Sequence, residues 1–110
     1  MHKLYAVNVL GTEYEVFENN KTEDKLLESM DGYCDHTEHK CVIDELVPNI
    51  DSLGNTDAYR QKLIRHELIH AFLFESGLGA NSWGTNEEIV DWIAFQFPKM
   101  LEAFKQSKAI

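Results

Sequence analysis

Cysteine and proline are scarce, two of each in 110 residues, and no Lys/Arg cluster interrupts an acidic chain. Each shortage excludes something. Cys34 and Cys41 are too few to staple a secreted disulfide scaffold, and in a reducing compartment they are expected to stay thiols. Ten basic residues against nineteen acidic ones give a formal net charge of −9, which repels a phosphate backbone or an anionic lipid surface. Nucleic acid is therefore not expected as a direct partner. No apolar run approaches bilayer-spanning length, and MHKLYAVNVLGTEYEV lacks the long apolar stretch and small-residue cleavage site of a secretory signal. A soluble, cytoplasmic protein with no membrane attachment is the expectation. With 44% hydrophobic residues the chain can fill one modest core, so residues 1–110 read as a single domain.

Lys3 to Leu10 and Glu13 to Glu18, rich in Tyr, Val and Phe and split by Gly11-Thr12, read as a β-hairpin. Thr22 to Met30 suits a short helix that stops near Gly32. Tyr33 to Asp35 and Cys41 to Asp44 bracket the polar HTEHK as a second hairpin or turn connection. Pro48, Asn49, Asp51, Gly54 and Asn55 mark a loop. Helical spacing then runs from Thr56, with Thr56 or Asn55 as cap, to Gly77 at the C-terminus. Thr85 and Glu88 stand in capping-box spacing ahead of a second helix, which Pro98 is expected to bend or break, leaving Lys99 to about Ser107 as a final amphipathic segment. Trp83, Trp92 and the phenylalanines read as core and loop anchors.

The chemistry is concentrated in RHELIHAFLFESGL, where two histidines and a glutamate interrupt a helix of Leu, Ile, Ala and Phe. His66 and His70 are four apart, so both imidazoles project within about 40° of each other on one helix face and can reach one point. Glu67 lies about 60° around from His70, where its carboxylate can approach a metal-bound water without itself being a ligand. Catalytic zinc takes three protein ligands and keeps one position open, so a third ligand is needed. It is sought in NEEIVD. Val90, Ala94, Phe97 and Leu101 form the apolar stripe of the second helix, and Glu87 falls on the same stripe. Glu88, about 100° away and assigned to the capping box, is the weaker candidate, as is Glu75. Asp91, one turn after Glu87, can accept the free N–H of a ligating histidine. Cys34, His36, His39 and Cys41 could be imagined as a second zinc site, but their C-x-H-x-x-H-x-C spacing is not a zinc-finger pattern.

HELIH followed by NEEIVD resembles the gluzincin signature of thermolysin-like metallopeptidases, H-E-x-x-H with N-E-x-x-x-D downstream. The short chain, GYCDHTEHKCVID before the helix and EEIVDWIA after it are more similar to the small phage and bacterial ImmA/IrrE-type metallopeptidases, over roughly Gly32 to Pro98. The resemblance implies one zinc ion at His66, His70 and Glu87, Glu67 as the catalytic carboxylate, and a minimal zincin-like α+β fold. In such a fold a small sheet packs on the H-E-x-x-H helix and a second ligand-bearing helix, and its edge strand can pair with an extended substrate. The chain departs from the thermolysin-like pattern in lacking a second subdomain and with it an obvious donor to the transition-state oxyanion. Tyr33, His36, His39, Tyr59 and Arg60 are the candidates for that role.

The expected activity is zinc-dependent peptide-bond hydrolysis by a selective cytoplasmic protease of phage or bacterial type, with a protein or peptide as substrate. The competing class is a non-catalytic, zinc-stabilised protein-binding module. Glu67 favours the enzyme, because a purely structural zinc site has no use for it. The sequence specifies no oligomeric state.

Overall fold

Leu10 and Gly11 turn the chain back on itself with positive φ at both positions, 52° and 96°, the primed turn geometry whose twist matches a tight hairpin. The turn sits one residue earlier than Gly11-Thr12, because Val9 pairs with Thr12 and the Asn8 side chain accepts the Gly11 N–H. It joins β1 (His2–Val9) to β2 (Thr12–Asn19). The computed structural model describes residues 1–46 and 54–110, so the loop expected at Pro48, Asn49 and Asp51 lies outside the described residues. The helix expected at Thr22 to Met30 is only a 3-10 turn, Lys25–Glu28, with the Asp24 carboxylate accepting the Leu26 N–H. β3 (Gly32–Asp35) and β4 (Lys40–Asp44) form the second hairpin, followed by α1 (Thr56–Glu75) and α2 (Glu87–Gln106).

The four strands make one sheet in the order β1-β2-β4-β3. β4 inserts beside β2 and pairs with it in parallel, while β3 pairs antiparallel on the outside of β4 and becomes an edge. This is a small α+β domain. Cys41, Val42 and Ile43 are consecutive and fully buried, as expected for an inner strand covered on both faces. One core cluster joins Val9, Tyr14, Val16 and Cys41 of the sheet to Ala71 of α1, with Leu4, Val7, Cys34 and Leu68 packed against it. Cys34 and Cys41 lie directly opposite each other as free thiols, and the neighbouring Cys34 together with burial pushes the Cys41 thiol far above its ordinary range.

α1 is capped by Asn55, whose side chain accepts the Ala58 N–H, and it ends where Gly77 turns left-handed and Leu78 N–H returns to the Leu73 carbonyl. Thr12 and Tyr14 both donate to the Glu75 carboxylate, tying the helix end to β2 and committing Glu75 away from the ligand role. The capping box is not formed. Asn86 caps α2 by accepting the Ile89 N–H, while the Thr85 hydroxyl donates to the Ser82 carbonyl. Nor does Pro98 break α2, which runs continuously through it. Proline has no N–H for the carbonyl four residues back, and that carbonyl, of Ala94, instead accepts Arg65 Nε of α1 at 2.6 Å. Arg65→Met should therefore leave a carbonyl without a partner between the helices and lower stability by about 1–3 kcal/mol in chemical denaturation. An unchanged midpoint would show that water replaces the guanidinium.

Trp92, Phe95 and Phe97 are not core anchors: they are 57%, 54% and 46% exposed. Trp92 and Phe95 lie off the stripe through Val90 and Ala94 by which α2 meets α1, and Trp83 is half exposed as well. No helix among the described residues is long and apolar enough to cross a membrane.

Candidate metal centre

Two helices meet at right register over a small set of polar groups. His66 and His70 project from the middle of α1, where Leu63, Glu67 and Ala71 are also buried, and Glu87 and Asp91 project from the first turns of α2. His66 Nε2 lies 2.9 Å from one oxygen of the Glu87 carboxylate, and His70 Nε2 lies 2.7 Å from the other. His66 Nδ1 lies 3.0 Å from Asp91 Oδ1. Although Glu87 falls on the apolar stripe of α2, its side chain is 71% exposed, with only the carboxylate turned back onto the two imidazoles. With the capping box absent, it is this contact and not capping that separates Glu87 from Glu88, which is exposed and makes no contact with either histidine among the described residues.

Glu67 occupies the other side of the histidines. It is 6% exposed, and burial, reinforced by the negative charge of Glu87 and partly offset by His66, raises its carboxyl to about 7. Gly32 of the edge strand makes room for it: a Cβ there would stand 3.3 Å from Glu67 Oε2 and 3.2 Å from the Val42 carbonyl. Asp91 is shifted the other way. Burial works against its charge, but hydrogen bonds from Lys62 and His66 prevail and hold the carboxyl below its usual value.

The donor atoms of His66, Glu67 and His70 lie within 4.8 Å of one another, so this group can hold a metal ion. Two carboxylates, Glu67 and Glu87, flank the same pair of imidazoles. The chemistry of the set fits a cation. Both nitrogens of His66 face carboxylate oxygens, and a neutral ring can donate to only one of them, so a proton or a metal is called for on the Nε2 side. Two imidazoles with carboxylate oxygen form a mixed nitrogen and oxygen set of the kind zinc accepts. Among the described residues it is the only such group, so Cys34, His36, His39 and Cys41 do not make a second one.

A cleft of about 460 Å³ opens over these residues between β3 and α1, with Glu67, His70 and Glu87 at one end and His36, Phe74 and Leu78 further along. Of the five residues considered as oxyanion donors, Tyr33 and His36 line it. The Tyr33 hydroxyl is committed to Asp24 and that of Tyr59 to Asp31, while Arg60 pairs with Glu18 and His39 packs on Tyr14. The His36 ring stacks on Phe74 at 3.9 Å, one helical turn beyond His70. Lys62, absent from the expected site, contacts Asp91 at 3.0 Å; its place one turn before His66 on the same helix face is the signal that could have found it. No family model, no curated protein and no solved structure matches this chain.

Proposed function

We propose that the chain is a zinc-dependent hydrolase of peptide bonds, with His66, His70 and Glu87 holding one zinc ion and Glu67 acting as the general base. The observation that carries this reading is the division of labour between the two carboxylates. Glu87 reaches both imidazole Nε2 atoms, whereas Glu67 is buried beside them without a hydrogen-bond partner among the described residues. The motif resemblance to small gluzincins supports the same assignment.

When bound, zinc supplies a Lewis acid that polarises both the scissile carbonyl and the attacking water. Glu67, buried beside the imidazoles, takes the proton released by that water and delivers it to the leaving amine. Asp91 accepts His66 Nδ1–H and so presents Nε2 in the right tautomer. An extended substrate adds along the outer edge of β3, which pairs with no further strand among the described residues, and main-chain hydrogen bonds there give affinity without deep pockets. His36 is the cleft residue best suited to meet the developing oxyanion, since the hydroxyls and guanidinium of its rivals are committed elsewhere. So narrow a reading surface makes a selective protease, weak in general digestion.

The test is to incubate zinc-loaded protein with a diverse pool of unstructured peptides and to identify new termini by mass spectrometry. Cleavage that a chelator abolishes and zinc restores is the expected result. Tight zinc binding with no cleavage of any peptide would instead establish a zinc-stabilised binding module. Gly32→Ala should separate chemistry from metal binding, because its Cβ displaces the Glu67 carboxylate or the edge strand by a few tenths of an ångström. Zinc affinity should stay within about twofold while cleavage falls about tenfold; an unaffected rate would show that Gly32 sets no geometry at the base.

A further inference from the structure

Polar contacts between the two helices form a ladder in matched register. On α1, Lys62, His66 and His70 follow one another at intervals of one turn; on α2, Glu87 and Asp91 do the same. Glu87 straddles His66 and His70, and Asp91 straddles Lys62 and His66. A single oxygen, Asp91 Oδ1, takes both of its contacts, Lys62 Nζ at 3.0 Å and His66 Nδ1 at 3.0 Å.

We propose that Lys62 is a positioning residue for the metal centre, acting through Asp91 to fix the orientation of His66 and the register of α2. The inference rests on the zinc reading above. Asp91 needs such a partner. Its side chain is 47% exposed, so solvent competes for its carboxylate, whereas the Lys62 side chain is only 19% exposed and its ammonium lies 5.2 Å from the Tyr59 ring centroid. The largely covered cation holds the half-exposed anion where His66 Nδ1–H can find it. Lys62 is also the one cationic side chain paired with an acid of this ladder among the described residues, since Arg65 is turned onto the Ala94 carbonyl. When Glu87 and the histidines become ligands, the contacts of Asp91 with Lys62 and with His66 Nδ1 need no rearrangement, so they carry the spacing between the helices over from the metal-free to the metal-bound protein.

Direct repulsion between the ammonium and a metal cation acts in the opposite sense, and the experiment separates the two. Zinc affinity is measured by competition with a chromophoric chelator for the parent, Lys62→Met, Lys62→Arg, Asp91→Ala and the Lys62→Met/Asp91→Ala double variant. Loss of an outer hydrogen-bond partner weakens metal affinity by about 10- to 100-fold, and Lys62→Met, which frees Asp91 without removing it, should weaken it by about 3- to 10-fold. Lys62→Arg, which still donates to Asp91, should stay within about twofold of the parent. In the Asp91→Ala background, Lys62→Met should no longer weaken binding, because only the repulsion is left to lose. Unchanged or tighter binding by Lys62→Met in the parent, or a full loss that persists without Asp91, overturns the assignment. Parent protein that takes up no zinc would sink the metal centre itself, and Lys62 with it.

Discussion

Glu67→Gln should hold zinc as the parent does and cleave nothing. Glutamine keeps the shape and polarity of the side chain but cannot take a proton from water, and general-base catalysis is worth about 10²- to 10⁴-fold in rate. The same substitution should stabilise the metal-free protein at neutral pH. Burial raises the Glu67 carboxyl from 4.5 to about 7 in the folded chain. A raised carboxyl means that the folded state holds the proton more tightly than the unfolded one. The associated stability is therefore complete below pH 4.5, is lost as the pH climbs, and is gone above about 7. The ionised group then costs at most about 3 kcal/mol, which glutamine avoids. With chelator present, Tm of the variant should exceed that of the parent by several degrees at pH 8 and match it near pH 4. Equal Tm at both pH values would mean that Glu67 is not desolvated in solution, and continued cleavage by the variant would end its role as the base.

The second large effect is expected at Glu87. Alanine there removes both carboxylate oxygens that now reach His66 and His70, at 2.9 and 2.7 Å, and leaves only Asp91 on His66 Nδ1 and the buried Glu67 beside the pair. Zinc affinity should fall by more than the roughly 100-fold upper range for loss of an outer hydrogen-bond partner. Glu88→Ala, one residue away on the exposed side of α2, should stay within about twofold of the parent, since a solvated side chain contributes little to a neighbouring site. Competition with a chromophoric chelator gives both numbers. Zinc kept by Glu87→Ala and lost by Glu67→Ala would exchange the roles of the two carboxylates.

What the sequence disclosed, and what it hid, follows from the range of the forces involved. The spacing of His66, Glu67 and His70 is a property of one helix, and a 3.6-residue period carries it without help from the rest of the chain. Both hairpins were visible for the same local reason. Helical spacing put Glu87 on the stripe of α2 and the motif paired it with the imidazoles, but the geometry of their meeting depends on α2 crossing α1, which no window of either helix encodes. Parallel pairing of β2 with β4 was invisible, because it needs a crossover spanning the 3-10 turn and β3, and periodicity says nothing about which distant strand is the neighbour. Pro98 misled for an instructive reason. Its disruption of a lone helix is real, but Arg65 from the other helix supplies the donor that the proline lacks. Asn86 was overlooked as a cap because Thr85 and Glu88 matched a stronger pattern, although the Asn side chain does the same work one residue later.

Metal content of the purified, unmodified chain bears most directly on the whole account. Native mass spectrometry, before and after chelation and again after adding back zinc, should show one zinc ion per chain, loss of that ion, and its return at the same stoichiometry. A chain that takes up no zinc at micromolar free metal while remaining folded would contradict the metal centre, and with it the hydrolase.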